Sequence, residues 1–167
     1  MKKFLSIVKE YIGTVIIAIV IAILLINFVF MSVQVKQSSM IPILNDGDRG
    51  ISFICTKYFG INRFDIVVIK TENKLLVKRA IGLPGETIEY KDNVLYVDGE
   101  EVVEDFLEED VHTSDFSVKL EDDEYYCLGD NREHSSDSRT YGPFKKSAIK
   151  STHIFVFFPF NDFGYKN

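Results

Sequence analysis

The sequence predicts a mainly β domain that follows one N-terminal membrane-spanning α-helix. The first observation is an apolar run near the N-terminus, and the second is a series of short stretches rich in Val, Ile, Tyr and Phe after it. The third is that no long amphipathic helical pattern follows the apolar run. We therefore divide the 167 residues into an N-terminal segment (1–10), an anchor (11–34) and one globular domain (35–167).

The anchor is predicted from length and composition. No charged residue occurs in 11–35, and the segment 12–33 is almost entirely apolar. At about 1.5 Å per helical residue, such a run crosses a hydrocarbon core about 30 Å thick. A cleavable secretory leader fits less well, because its apolar region spans about 7–15 residues and ends at a small-residue cleavage site.

The charges beside the anchor predict its orientation. Lys2, Lys3 and Lys9 precede it, whereas Lys36 is the only charge directly after it. Because positive residues tend to stay in the cytoplasm, we expect 1–10 inside and the domain outside, in a single-pass protein of the cell membrane that contacts lipid. The alternative is a buried helix of a soluble protein, which a run beyond about 18 residues disfavours.

The domain is predicted to be β because its apolar stretches are short and separated by turn residues. The predicted strands are 50–55, 65–70, 75–81, 87–90, 94–97, 125–128 and 149–158. The Asp98-Gly99 step, between Leu-Tyr-Val at 95–97 and Glu-Glu-Val-Val at 100–103, predicts a type I′ hairpin turn. Within 149–158, alternation predicts that Phe155 and Phe157 face the core, and a membrane contact of these rings is a second interpretation.

Charge and cysteine content exclude some functions. The chain has a net charge of −6, and acidic residues are concentrated in 100–124, which argues against a nucleic-acid partner. We interpret 100–124 as a solvated excursion. Cys55 and Cys127 lie in apolar runs and fit either buried thiols or a disulfide. No metal-ligand spacing is visible, so neither a metal nor a cofactor is predicted.

Two short segments carry candidate chemistry in the first half of the domain. The segment 38–42, Ser-Ser-Met-Ile-Pro, places a serine in a loop that Pro42 stiffens. In the predicted strand 75–81, Lys78 shares a face with Leu76 and Ala80. An apolar environment lowers the pKa of a lysine and makes it a usable general base, although an edge lysine with its head in water has the same pattern.

A third segment, 129–142, is dense in hydrogen-bonding side chains and is bounded by glycines. Asp137 and Arg139 have the chemistry of an ion pair, and Ser135 is placed to orient a neighbouring base. A solvated loop has a similar composition, so this segment alone does not decide between structure and catalysis.

Taken in order, three motifs resemble those of the bacterial type I signal peptidases. They are Ser-Met-x-Pro at 39–42, Val-Lys-Arg-x-Ile-Gly-x-Pro-Gly at 77–85, and Gly-Asp-Asn-Arg-x-x-Ser-x-Asp-Ser-Arg at 129–139. The resemblance implies a signal-peptidase-like β fold and a serine endopeptidase that removes signal peptides from exported preproteins. It also implies that Ser39 is the nucleophile and Lys78 its general base, with no histidine needed.

The resemblance assigns supporting roles to further residues. Ser135 would hydrogen-bond Lys78, and Met40 would line the substrate cleft. The backbone N–H of Ser39 would form the oxyanion hole. Two ion pairs would brace the loop, namely Asp137 with Arg139 and Asp130 with Arg79.

The sequence departs from the family at four positions. Gln37 stands where the family has Gly or Ser beside the oxyanion hole, and Ser38 is an unusual neighbour of the nucleophile. Ile43 replaces a Thr. The segment 65–68, Asp-Ile-Val-Val, resembles a further segment of the family, and Phe64 stands where Gly often precedes it.

Three other functions fit parts of the sequence. A non-catalytic assembly factor with a signal-peptidase-like fold would bind exported proteins without cutting them, but it would not need both Ser39 and Lys78. A serine protease that uses histidine has His134, beside Ser135, as its candidate. The self-cleaving repressors use Ser and Lys, but they lack an anchor and carry a DNA-binding region.

Overall fold

The computed structural model describes residues 2–108 and 111–167, so Glu109 and Asp110 of the acidic segment lie outside it. Two helices and twelve strands follow one another in this order: α1 (Lys2–Val29), β1 (Phe30–Gln34), β2 (Arg49–Phe53), β3 (Ile66–Lys70), β4 (Leu75–Gly82), β5 (Thr87–Lys91), β6 (Val94–Val97), β7 (Glu100–Val102), β8 (Phe116–Lys119), β9 (Glu124–Leu128), α2 (Ser138–Tyr141), β10 (Phe144–Lys145), β11 (Ile149–Phe158) and β12 (Gly164–Lys166). The mainly β prediction is confirmed.

The N-terminal helix ends before the predicted anchor does. α1 stops at Val29, and Phe30–Gln34 form strand β1, which pairs with β2. Phe, Met and Val in β1 suit a half-buried strand, and pairing with β2 overrides continuation of the helix. Judged on the described residues, no helix is long and apolar enough to cross a membrane. The membrane span therefore stays a prediction.

All seven predicted strands are present, with ends that differ by a few residues at most. The Asp98-Gly99 turn is also confirmed, because both residues have positive φ, as a type I′ turn requires, and Val97 pairs with Glu100 across it. Sequence reading assigned β1 to the anchor, and it missed the short or polar strands β7, β8, β10 and β12.

The strands form two antiparallel sheets. The large sheet has eight strands in the order β1-β2-β11-β3-β4-β9-β10, with β12 paired to β11. The small sheet has four strands in the order β7-β6-β5-β8. β9 pairs with β4 only from Arg79 onward, so none of the described strands pairs with the other edge of β4 between Leu75 and Lys78. β1 is the terminal strand of the large sheet and is likewise paired on one side only.

The core surrounds β3, whose Ile66, Val67, Val68 and Ile69 are all fully buried. Ile66 and Val68 pack into a cluster with residues from β1, β11 and the loop after β1. Val67 and Ile69 pack into a second cluster with residues from β4, β9 and β11. A third cluster joins the small sheet to the ends of β4 and β9. Lys78 pairs with Val67, so it lies on a strand with apolar clusters around it.

The aromatic side chains of β11 correct one sequence expectation. Ile154 and Val156 are fully buried, whereas Phe155 is half-buried and Phe157 is 40% exposed. Alternation is present, but both faces of this strand are apolar, so period two alone could not choose the inward face. Phe155 packs edge-on against Phe163 instead of entering the core.

Both cysteines are free thiols. Cys127 is fully buried opposite Ala80, and burial raises the pKa of its thiol. Cys55 is only half-buried. The thiol interpretation therefore holds for both residues, and the buried position only for Cys127.

Candidate active site

Ser39 lies in a turn between β1 and β2 that its neighbours hold in place. Met40 and Leu44 are almost completely buried in the cluster around Ile66 and Val68, so apolar packing fixes one side of the turn. Asn131 fixes the other side through two hydrogen bonds. Its N–H donates to the Ser39 carbonyl at 3.2 Å. Its Nδ2 donates to the Ser38 carbonyl at 3.1 Å.

Lys78 reaches Ser39 from β4. Its Nζ lies 2.5 Å from Ser39 Oγ, within hydrogen-bond distance, although the two residues are far apart in the sequence. Lys78 is 2% exposed, so the edge-lysine interpretation, with the head in water, is excluded. The two residues thus have the distance that proton transfer requires.

Burial is the main influence on the charge of Lys78. It lowers the pKa of the lysine from 10.5 to about 8, because an ammonium loses hydration in an apolar environment. Asp137 and Asp130 oppose the shift, whereas Lys74 and Arg139 add to it. A substantial fraction of Lys78 is therefore neutral near physiological pH and able to accept a proton.

Ser135 does not make the hydrogen bond to Lys78 that the resemblance implied. Its Oγ is buried and makes no hydrogen bond to Lys78 among the described residues, while its interaction with Asp137 helps to lower the pKa of that carboxyl. Lys78 Nζ contacts Ser39 instead. Ser135 lies against Gly129, where an added Cβ would collide with Ser135 Oγ and with the Ser39 carbonyl. Gly129 thus lets the loop that carries Ser135 approach the Ser39 turn.

The ion pair between Asp137 and Arg139 is confirmed. The Arg139 guanidinium binds the carboxylate with two hydrogen bonds, Nε to Oδ1 at 2.9 Å and Nη2 to Oδ2 at 2.7 Å. Burial opposes ionisation of Asp137, but the bonds from Arg139 and from the Gly129 N–H outweigh it and lower the pKa of the carboxyl. Arg139 also donates to the Arg132 carbonyl at 2.6 Å, which braces the loop.

The ion pair between Arg79 and Asp130 is confirmed as well. Its two hydrogen bonds measure 2.9 Å and 2.7 Å, and both side chains are almost completely buried. The guanidinium also donates to the Phe64 carbonyl at 2.7 Å and lies 4.1 Å from the centre of the Phe106 ring. Because Arg79 follows Lys78 in β4, this pair ties the lysine strand to the loop after β9.

Sequence reading missed a buried arginine beside the site. The Arg132 side chain is fully buried and forms an ion pair with Glu104 at 2.6 Å. It also donates to Tyr90 Oη at 2.6 Å, to Thr113 Oγ1 at 3.0 Å and to the Gly129 carbonyl at 3.1 Å. Its place in the Gly-Asp-Asn-Arg motif was the only available signal. The network joins the small sheet and the acidic segment to the loop that holds Asn131.

A cleft of about 580 Å³ opens over Ser39 and Lys78, the proposed reactive pair. One wall comes from β1 and the residues after it, including Gln37 and Met40, and the other comes from 74–78. The Ser39 N–H donates no hydrogen bond to any other described residue, so it is free to bind an oxyanion. Gln37 and Met40 both line this cleft, and their substrate-binding roles stay predictions.

Two of the family departures lie at special backbone positions. Gln37 has φ of 75° and Phe64 has φ of 73°, a region that favours glycine. The Gln37 N–H donates to Asp46 Oδ1 at 2.7 Å, and the Phe64 ring packs edge-on against Phe106. These contacts offset the conformational cost of the larger side chains.

No histidine contacts Ser39 within the described chain. His134 is exposed and lies beside Asn131 Oδ1, and His153 contacts Thr152 and Asp65. The geometry therefore does not support the histidine alternative. The same described residues contain no metal-binding cluster.

Residues 8–158 match the family described as signal peptidase, peptidase S26. The chain belongs to this family. It is 42% identical to signal peptidase I of Bacillus amyloliquefaciens, over 94% of this chain and 91% of that one. It is 40% identical to signal peptidase I S of Bacillus subtilis strain 168, over 93% and 91% of the two chains.

A solved structure supports the same assignment. The crystal structure of a signal peptidase I from Enterococcus faecalis V583 matches with a TM-score of 0.51 and 32% identity, over 55% of this chain and 95% of that one. The family and these relatives identify the chain as a serine endopeptidase of the signal peptidase I type. Removal of signal peptides is the corresponding activity.

Proposed function

We propose that this chain cuts exported preproteins with Ser39 as nucleophile and Lys78 as general base, while α1 anchors it in the membrane. The observation that carries the catalytic part is the 2.5 Å contact between Ser39 Oγ and a buried Lys78 amine whose pKa is lowered to about 8. A lysine of this kind performs the proton transfer for which many serine proteases use histidine.

The proposed reaction begins with neutral Lys78. The amine takes the proton of Ser39, and Oγ attacks the scissile carbonyl carbon to form a tetrahedral oxyanion that the Ser39 N–H binds. The carbon–nitrogen bond then breaks, and the Lys78 ammonium returns its proton to the departing amine. Water, activated by the neutral lysine, hydrolyses the acyl-enzyme, and Ser39 regains its proton.

The shape of the cleft suggests how the preprotein binds. Leu75–Lys78 in β4 have one edge that β9 does not pair with, and β1 is an edge strand on the opposite wall. An extended peptide between these edges would gain backbone hydrogen bonds on both sides. The small residues expected before the cut would face the limited space beside Met40 and Lys78.

Anchoring by α1 is supported by composition and exposure. No charge occurs in 11–35. Large apolar side chains around the described part of the helix are about half exposed, including Ile12, Ile17 and Leu24. Exposed apolar surface of this extent marks contact with another apolar phase. We expect the full chain to stay in the pellet after alkaline carbonate extraction of membranes, and recovery in the supernatant would contradict the anchor.

Cleavage of a preprotein by the full chain in detergent tests the reaction. We expect Ser39→Ala and Lys78→Met to abolish cutting, while Ser38→Ala, the matched control on the neighbouring serine, retains it. Loss of activity in Ser38→Ala alone would assign the nucleophile to Ser38. A wild-type protein that binds the preprotein without cutting it would favour the non-catalytic assembly factor.

A further inference from the structure

Two further lysines stand at the sides of the catalytic cleft. Lys36 follows β1 on one wall, Lys74 precedes β4 on the other, and both side chains are exposed. Every charged side chain that lines this cleft among the described residues is a lysine, and no carboxylate lines it. The chain as a whole carries a net charge of −6, so the cleft is a local exception. Charge of one sign inside a cleft focuses the electric field on whatever enters it.

The backbone of each lysine is held in position. The Thr71 N–H donates to the Lys74 carbonyl at 2.9 Å, and the Lys74 N–H donates to Thr71 Oγ1 at 3.3 Å. On the other wall, both neighbours of Lys36 are fixed, since the Val35 N–H donates to the Asp48 carbonyl at 2.8 Å and the Gln37 N–H bonds Asp46. The two lysines are therefore fixed parts of the cleft walls.

Neither ammonium group is neutralised by the protein. The described residues contain no ion pair of Lys36 or Lys74 with a carboxylate. Lys74 Nζ lies 5.7 Å from the centre of the Tyr141 ring, a contact that leaves its positive charge in place. Both charges are thus available to a peptide in the cleft.

Their spacing from the reactive pair defines which part of a substrate they reach. At about 3.3 Å per residue, Lys74 lies about 13 Å along the strand from Lys78. Lys36 precedes Ser39 by three positions, which is at most about 10 Å because the chain turns at Gln37 and Ser39. In a substrate that extends from Ser39 and Lys78 along these walls, Lys74 lies beside the fifth residue before the cut, and Lys36 lies no further out than the fourth.

We propose that Lys36 and Lys74 select preproteins by the charge of the fourth and fifth residues before the cut, favouring acidic and rejecting basic side chains. The inference rests on the proposed function, in which the signal-peptide side of the substrate occupies this cleft. Partly exposed charge pairs are each worth up to about 1 kcal/mol, so we expect a three- to tenfold ratio of kcat/KM between a Glu and a Lys substrate.

The experiment measures this ratio with the full chain in neutral detergent. Matched peptides carry Glu, Gln or Lys at the fourth and fifth positions before a common cut. The proteins are the wild type, the double variant Lys36→Gln/Lys74→Gln, and Lys91→Gln, which changes an exposed lysine of the small sheet. Lys74 also lowers the pKa of Lys78. We therefore compare the ratio of kcat/KM for the Glu and Lys peptides within each protein, because a change in the pKa of Lys78 affects both peptides equally.

We expect the wild type and Lys91→Gln to prefer the Glu peptide, the double variant to lose the preference, and salt to weaken it through screening. A ratio of one in a wild type that still cuts the Gln peptide would overturn the inference and leave the proposed function intact. A preference that survives in the double variant would also overturn it. A ratio of one would also overturn it if anionic lipid activates the wild type but not the double variant. The two lysines would then bind lipid headgroups.

Discussion

At the residue scale, the proposed chemistry depends on the position of one amino group. Lys78 is almost completely buried, and its environment holds the pKa of the amine at about 8. Asp137 and Asp130 restrain the shift, and both are engaged in ion pairs of their own. Burial therefore favours the neutral amine of Lys78, whereas the nearby carboxylates favour its protonated form.

The lowered pKa predicts the pH dependence of cleavage. In the proposed mechanism neutral Lys78 is the active form, so kcat/KM of the wild type should rise about tenfold per pH unit below about 8 and level off above it. A pH profile from 6 to 9.5 with an uncharged peptide measures this. Ser38→Ala should give the same profile, and a wild-type profile that is flat across this range would contradict Lys78 as the base.

The same shift predicts an effect on stability. The unfolded chain keeps the Lys78 proton up to about pH 10.5, whereas the folded chain releases it above about 8, so stability rises with pH between these values. Lys78→Met should therefore raise the free energy of unfolding by about 1–3 kcal/mol at pH 7, and by less at pH 10. Denaturant titrations at both pH values measure this, with Lys91→Met as the exposed control. A loss of stability at pH 7 would contradict it.

At the scale of elements, the site depends on the close approach of two loops. One follows β1 and carries Ser39, and the other follows β9 and carries Asn131 and Ser135. Gly129 lies where they meet and has no room for a Cβ. The geometry of the reactive pair is therefore set by the spacing between loops as well as by the strand that carries Lys78.

Gly129→Ala tests this spacing. The added methyl group must displace the Ser39 carbonyl or Ser135, and a shift of about 1 Å at a reacting group costs about 100-fold in rate. We expect kcat to fall by that order and the unfolding free energy to fall by about 1–3 kcal/mol. Gly13→Ala is the control, because a Cβ there meets no atom within 4 Å. Unchanged kcat in Gly129→Ala would show that the loops are not in tight contact.

The same elements show what the sequence could and could not predict. Short apolar stretches between turn residues located seven of the strands, because burial of a pleated face imposes that pattern. β7 and β8 were missed because charged and polar residues on an exposed sheet face leave little signal. The motifs located Ser39 and Lys78 through resemblance, and the residues alone left Lys78 open between base and edge lysine. Burial of Arg132 and the positive φ of Gln37 arise from tertiary contacts that no local pattern encodes.

At the scale of the whole molecule, a buried charge network joins the two sheets near the site. Arg132 comes from the loop after β9, Tyr90 from the small sheet, and Glu104 and Thr113 from the acidic segment. The acidic segment was interpreted as a solvated excursion, but two of its residues are built into the core. The small sheet therefore supports the loop that positions Asn131.

Glu104→Gln should weaken this support. Removing one partner of a buried ion pair leaves Arg132 uncompensated, so we expect the unfolding free energy to fall by about 2–4 kcal/mol. We also expect kcat to fall, because the loop that holds the Ser39 turn loses its brace. Chemical denaturation and cleavage assays measure the two effects. Glu101→Gln, on the exposed edge strand β7, should change neither, and equal effects of both changes would contradict the network.

The direct connection between α1 and β1 sets the distance between the end of the helix and the site. The helix continues into β1 without an intervening loop, and the Ile54 N–H donates to the Val29 carbonyl at 2.8 Å, so the last turn of the helix is fastened to the sheet. β1 then advances about 17 Å over its five residues. If α1 anchors the chain as proposed, this connection would limit the height above the bilayer at which the enzyme can reach a bond. The site of cutting would then be chosen partly by how far a bond stands from the membrane.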